Sequence, residues 1–389
     1  MIVSNLLSFL ISALAILVVP KLIGVADYGY WQLYLLYTSY VGIFHFGWCD
    51  GIYLRYGGKV YQDLDKNLFF SQFLMLAFLQ FIFAIFLSSF TAIYVDSVER
   101  NFILHMTALC LFTANLRRML LVILQGTNRI REYAIAMISG RFLYFIFAML
   151  LLFLGLREYR TMIIADLVGN VLSLFLVIYY CKDIVLNKLS DFVFNFNETL
   201  TNIRVGINLM GASIASNLII GVLRFGIERF WSIATFGSVS LTLSVSGFLM
   251  VFINALGIVL FPLLRRSRSD LQINIYNTAR NILSILLIGL MIFYFPFKLF
   301  LSNWLPQYSD GLQFMALLFP LSIYEGRYVL LVNTYLKSMR EEKLILRINL
   351  FSLMLGVIFS ILTTMILRNL DLAVLSILFL IGFRCIIGE

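Results

Sequence analysis

A chain of 389 residues that is 61% hydrophobic and 13% charged, with a mean hydropathy of +0.95, carries more apolar surface than a globular fold of its length buries. Its net charge of +9 sits in short loops between apolar runs, which excludes the continuous basic face of a nucleic-acid binder. Lipid has to cover the remainder, and the 37 Phe and 20 Tyr suit helix packing and interfacial belts.

The start, from Met1, has no basic stretch and no small-residue cleavage site before Pro20 and Lys21, so it reads as a retained first helix. Spanning takes about 20 apolar residues, and suitable runs recur twelve times. They fall at 2–20, 31–53, 68–93, 102–124, 134–155 and 162–181, then 205–225, 233–262, 281–302, 311–336, 345–366 and 372–387. The longest connection, 182–204, divides them six and six. The expected fold is thus an all-α polytopic membrane protein with an amino-terminal lobe over 1–187, a cytoplasmic inter-lobe loop over 188–204 and a carboxy-terminal lobe over 205–389.

Twelve crossings put both termini on one side. With that side taken as cytoplasmic, the inner junctions carry sixteen Lys/Arg and the outer ones seven. The positive-inside rule then places both termini on the cytoplasmic side of the membrane.

The halves echo each other. Ser4-Asn5-Leu6 precedes Tyr28-Gly29, as Ser216-Asn217-Leu218 precedes Phe236-Gly237. Six helices per half make this a parallel repeat with a site between the lobes. Asn217 lies deeper in its helix than Asn5 does, so the sequence reads as beginning inside a longer natural chain.

Charges within the spans are the candidate functional residues, because they are costly in lipid and usually face the protein interior or a wet cavity. Arg117, Arg118 and Arg141 fall at one depth, roughly 10 Å inside the cytoplasmic face at 1.5 Å per residue. Three guanidiniums there call for anions, and Arg binds phosphate in a forked geometry. Snorkelling to the interface is the alternative for each, and Arg117 and Arg118, about 100° apart, do not point the same way. Arg224 is either a substrate contact or the i, i+4 partner of Glu228. Glu325 and Arg327, two apart on one helix, do not face each other, so at least one needs a partner elsewhere. Asp50 and Asp166 are counter-ions for arginines or proton/cation coupling sites. Asn5, Ser8 and Ser12 on the first helix, Ser213, Ser216 and Asn217 on the seventh, and Tyr34, Tyr37 and Tyr40 suit sugar contact or plain packing.

Cys49, Cys110, Cys181 and Cys385 have no CxxC spacing and read as buried thiols. His45 and His105 are too few and too distant for a metal site. No Walker or glycine-rich phosphate motif is present, so no cofactor and no ATP hydrolysis are expected.

Several motifs carry a resemblance. Val19-Pro20-Lys21-Leu22-Ile23-Gly24, Tyr28-Gly29-Tyr30-Trp31, Phe46-Gly47-Trp48-Cys49-Asp50-Gly51, Leu124-Gln125-Gly126-Thr127-Asn128-Arg129, and Phe236-Gly237-Ser238 through Phe261-Pro262-Leu263-Leu264-Arg265-Arg266 resemble Wzx-type O-antigen and capsule-unit flippases. These belong to the multidrug/oligosaccharidyl-lipid/polysaccharide (MOP) exporter superfamily. The resemblance implies two six-helix lobes around a central cavity that rock to move an undecaprenyl-pyrophosphate-linked oligosaccharide to the outer leaflet. The partners it implies are that polyprenyl-pyrophosphate-linked glycan, membrane lipids, and a polymerase and chain-length regulator of the same pathway. A drug/cation antiporter on the same fold is the first alternative. It calls for an acidic pocket, whereas six Arg stand in the spans against Asp50, Asp166 and Glu325. A membrane polymerase is the second, and the short outer loops leave it no room for a catalytic segment. The protein is expected not to be an enzyme.

Overall fold

The computed structural model describes residues 2–247, 250, 269–339 and 341–389. The second half of the eighth expected helix, with Phe261–Leu264, Arg265, Arg266 and Arg268, lies outside the described residues. So do the side chains of Asn5, Ser8 and Ser12.

Among the described residues every regular element is helical. Nine helices among these residues are long and apolar enough to cross a membrane, and Ala13–Leu22 and Ile233–Ser246 are shorter apolar ones. In chain order they begin with α1 (Ile2–Leu22), α2 (Val25–Thr38), α3 (Trp48–Tyr56), α4 (Lys66–Tyr94), α5 (Val98–Gly126), α6 (Ile130–Phe153), α7 (Tyr159–Tyr180) and the single turn α8 (Lys182–Val185). They continue with α9 (Phe196–Phe230), α10 (Ile233–Ser246), α11 (Ser269–Leu290), α12 (Tyr294–Trp304), α13 (Ser309–Leu312), α14 (Met315–Leu318), α15 (Leu321–Arg327), α16 (Thr334–Ser338), α17 (Glu342–Ser360) and α18 (Leu370–Gly388). Phe78, Phe86 and Ile93 on α4 are each about two-thirds exposed. Apolar surface of that extent is stable against lipid and not against water.

The chain forms two compact units. One comprises Met1–Ala15 and Tyr30–Gly211, the other Ile16–Gly29 and Ala212–Glu389.

In the first unit α5 packs on α3, α4 and α7, and α6 on α7. Leu116, Met119, Leu120 and Ile123 of α5 join Trp48, Ile52, Phe69, Phe73 and Val177 in one buried cluster. The expected single helix over 31–53 is broken here. It ends at Thr38, passes through a tight turn at Val41–His45, and restarts at Trp48. The carbonyls freed by the break are met by buried amides. Asn115 donates to Val41 O at 2.9 Å and Gln80 to Phe44 O at 2.9 Å, while Gln80 Oε1 accepts from Asn115 at 2.7 Å. Hydropathy has no means of seeing that compensation.

The 188–204 loop is also corrected. Helix α9 begins at Phe196, so residues 196–204 are helical. Asn195 Oδ1 accepts from the Glu198 amide at 3.0 Å, a side-chain cap on that end. The polar residues that read as loop are occupied inside the fold. Arg55 donates to Glu198 at 2.5 Å and to Asn202 at 2.6 Å, Tyr56 donates to Glu198 at 2.7 Å, and Thr199 donates to Gln72 at 3.1 Å. Helices α3 and α9 touch backbone to backbone. A Cβ on Gly51 would stand 1.8 Å from Asn202 O, and one on Gly206 would stand 2.0 Å from Gly47 O.

In the second unit, residues 16–29 are held by polar caps on the end of α1. Trp304 donates to Leu17 O at 2.9 Å, and Gln307 and Tyr308 to Pro20 O at 2.7 and 3.3 Å. The aromatic-glycine pairs that echo between the halves meet each other here. A Cβ on Gly29 would stand 2.2 Å from Ile233 O, and one on Gly237 would stand 2.8 Å from Gly29 Cα. The expected helix over 311–336 is segmented. It closes with a π-helical turn at Tyr328–Asn333, and a second such turn at Ile361–Ile366 follows α17. Thr334 Oγ1 donates to Val329 O at 3.0 Å, five residues back, which helps hold the wider turn.

Gly51→Ala is expected to cost about 1–3 kcal/mol by overpacking against α9. Heating detergent extracts before fluorescence-detected size exclusion reads the loss. Gly289→Ala, whose Cβ meets nothing within 4 Å, is the control that stays unchanged or gains.

Candidate functional site

Among the described residues the charges within the spans gather in separate clusters in each unit. The neighbours Arg117 and Arg118 on α5 diverge, as a 100° step requires. Arg118 turns to α3, where Nη2 meets Asp50 Oδ1 at 2.9 Å. Asp50 is buried and its Oδ2 has no hydrogen-bond partner among the described residues. His45 lies next to it. Its Nδ1 accepts from the Gly47 amide at 3.1 Å, which in the neutral ring puts the hydrogen on Nε2. That atom faces Asp50 Oδ2 at 3.9 Å, too far for a hydrogen bond.

Arg117 turns the other way, to α6 and α7. Nη1 donates to Ser173 Oγ at 3.1 Å, and Ser173 in turn donates to Ala136 O at 2.9 Å. Gly140 makes the room, since a Cβ there would come within 2.5 Å of Arg117 Nη1. The charge of Arg117 also acts on Asp166 of α7 and on Arg141 of α6. Asp166 Oδ2 accepts from Tyr34 at 2.9 Å and from Asn170 at 3.0 Å. Trp31 stacks on Tyr34 and on Tyr144 with ring centroids 5.5 Å away in each case. Arg141 is exposed, and no described residue forms an ion pair or hydrogen bond with it.

In the second unit Glu325 and Arg327 do not face each other, as two-residue spacing on a helix requires, and each finds its own partner. Arg327 is clasped by the Glu389 carboxylate at 2.7 and 2.8 Å. Glu325 pairs with Arg384 of α18. Arg384 is 1% exposed, donates to Ser216 Oγ at 2.8 Å and lies over the Tyr328 ring at 4.2 Å. Behind the ring, Tyr328 donates to Asn349 at 2.8 Å, and Asn349 to Ala212 O at 2.9 Å. Arg224 donates to Ser240 Oγ at 3.1 Å and sits over the Phe236 ring at 5.4 Å, while Glu228 is buried nearby in sequence on α9.

Arg384 is the residue that sequence reasoning left out of the candidate set. The signal was available, an arginine fifteen residues into an apolar helix, but its partner Glu325 lies 59 positions away. The four cysteines are free and buried. No group of three metal-ligating side chains occurs among the described residues.

No family profile matches the sequence, and no curated protein does. Solved structures match throughout. One is an inward-facing conformation of a multidrug resistance MATE family transporter of the MOP superfamily, with a TM-score of 0.72 and 14% identity over 99% of this chain and 96% of that one. Another is the MATE transporter ClbM in complex with Rb+, with a TM-score of 0.60 and 12% identity over 100% and 91%. A third is a MOP superfamily transporter from Pyrococcus furiosus, described as having a binding pocket of reverse polarity suggestive of a different function. It has a TM-score of 0.57 and 15% identity over 99% and 92%. The likeness is one of fold: this is a multi-pass, all-helical membrane protein with the two-lobed MATE-type transporter architecture.

Breaking the Glu325 pair tests its structural role. Arg384→Met is expected to destabilise the second unit by roughly 1–3 kcal/mol, because it leaves the partly buried Glu325 carboxylate without its partner. Adding Glu325→Gln is expected to restore most of the loss. Thermal melting of both purified variants is the measurement.

Proposed function

We propose that the protein is a flippase of the MOP superfamily that carries an undecaprenyl-pyrophosphate-linked oligosaccharide, an O-antigen or capsule repeat unit, from the cytoplasmic to the outer leaflet. The observation that carries the reading is Arg141. It is an exposed guanidinium within a membrane-crossing helix, without an anionic partner among the described residues, and it sits beside a second guanidinium, Arg117. An unanswered cation at membrane depth is costly unless a ligand or water answers it, and pyrophosphate answers it with matched, charge-assisted hydrogen bonds. The motif resemblance to Wzx-type flippases points the same way. The description of reverse pocket polarity in a structural neighbour supports the idea that this fold takes cargo of either charge.

On this reading the two lobes alternate access, in a bacterial inner membrane with both termini cytoplasmic. Arg117, Arg118, Arg141 and Arg224 line the anion path, and Asp50, Asp166, Glu325 and Arg327 balance their charge or couple ion movement. The polymerase and chain-length regulator of the pathway act downstream. The protein performs no bond chemistry.

One observation favours the alternative, a drug/cation antiporter. Asp166 is a membrane-embedded carboxylate held by Tyr34 and Asn170 beside the stacked rings of Trp31 and Tyr144, a setting that suits an organic cation. MATE neighbours support that reading as well.

Deleting the gene is expected to leave lipid-linked repeat units on the cytoplasmic face. Units found outward-facing but unpolymerised would instead point to a polymerase. Arg141→Ala is expected to lower polymer export by about tenfold, the equivalent of one lost charged hydrogen bond, with normal membrane insertion. Unchanged export would remove Arg141 from the path.

A further inference from the structure

Helices α17 and α18 of the second unit pack along their length and leave an open groove of about 630 Å³ between them. It is unrelated to the arginine clusters of the first unit. Its walls come from Phe359, Leu362 and Leu367 on one side and Leu375, Phe379 and Ile386 on the other, with Tyr324 beneath. From Leu372 to Ile386 the wall runs roughly 20 Å at 1.5 Å per residue.

Three features define what it takes. First, its lining is almost wholly apolar, and its two aliphatic hydroxyls donate to their own helices: Thr363 Oγ1 to Phe359 O and Ser376 Oγ to Leu372 O, each at 2.7 Å. The groove therefore favours hydrocarbon over water or sugar. Second, the π-helical turn at Ile361–Ile366 supplies Leu362 and Thr363, so the groove opens where the helix departs from α geometry. Third, the chain leaves that turn through Arg368, an exposed residue held at φ 48°. It directly follows the groove residue Leu367, and no described residue pairs with it. A left-handed arginine is uncommon, and this one puts a free cation at the end of an apolar trough.

We infer that the groove holds the hydrocarbon chain of a polyisoprenoid phosphate, with Arg368 meeting the phosphate at its end. One trough takes one chain. A polyisoprenoid phosphate brings a single, methyl-branched chain on a single phosphate, whereas a glycerophospholipid brings two straight ones. The assignment rests on the flippase reading for the source of such a lipid. It deepens that reading by giving the lipid tail a seat on the outside of the second unit while the sugars travel elsewhere.

Native mass spectrometry of the purified full chain tests this with undecaprenyl phosphate, undecaprenol and phosphatidylglycerol as probes. The wild type is expected to retain one equivalent of undecaprenyl phosphate, undisplaced by equimolar phosphatidylglycerol. Leu375→Trp, which fills the trough from a 44% exposed position, is expected to weaken retention about tenfold. Arg368→Gln is expected to abolish the preference for undecaprenyl phosphate over undecaprenol. Displacement by phosphatidylglycerol, or wild-type retention by Leu375→Trp, overturns the assignment. Binding and transport separate the two claims. Groove binding as expected, with export intact after gene deletion, retires the flippase reading and keeps the groove. Normal binding by both variants, with export abolished by deletion, retires the groove alone.

Discussion

A guanidinium inside a membrane has to be answered by a carboxylate, a ring of hydroxyls, water or a ligand, and this constraint shapes the polar interior of the protein. Arg384 is buried against Glu325, Ser216 and the face of Tyr328, with its Nε alone left without a hydrogen-bond partner among the described residues. Arg118 is answered by Asp50, and Arg327 by Glu389. Arg117 rests on Ser173 and shares its field with Asp166. Arg141, next to it, is left to whatever lies outside the unit. Among the described residues the pairings hold helices together, while Arg141 keeps no anionic partner.

Close backbone contact is the second device. Glycines let α3 press on α9 in the first unit, and residues 16–29 press on α10 in the second. The polar consequences are met locally. Asn115 and Gln80 take up the carbonyls released where the second helix breaks, and Trp304, Gln307 and Tyr308 cap the end of the first. Such breaks are tolerated in a bilayer only where protein supplies the missing partners. The α17–α18 groove is hydrocarbon-like for a related reason, since Thr363 and Ser376 in its wall donate to their own helices.

Much of this was legible beforehand. Long apolar runs gave the helical class and the order of the spans, because hydropathy is a local property. The divergence of Arg117 and Arg118 followed from helix geometry, and that Glu325 and Arg327 do not pair with each other followed from their spacing. What hydropathy misses is compensation at a distance. Residues 196–204 read as loop because their partners, Arg55, Tyr56 and Gln72, lie more than 120 positions upstream. The break between Thr38 and Trp48 was hidden for the same reason, and Arg384 escaped notice because its carboxylate belongs to another helix. The repeated aromatic-glycine pairs were visible as a pattern; that Tyr28-Gly29 and Phe236-Gly237 form two sides of one contact was not.

The central claim is that the cargo is anionic and lipid-linked. Proteoliposomes loaded with fluorescent lipid-linked oligosaccharide and treated outside with a membrane-impermeant sugar-oxidising reagent put it to the test. Flipping by the wild type is expected to expose the inner-leaflet pool, so that the reagent consumes all of the label, and Arg141→Ala is expected to slow that consumption. An inner pool that stays protected, while the same vesicles accumulate a cationic dye, would contradict the account and establish the antiporter instead.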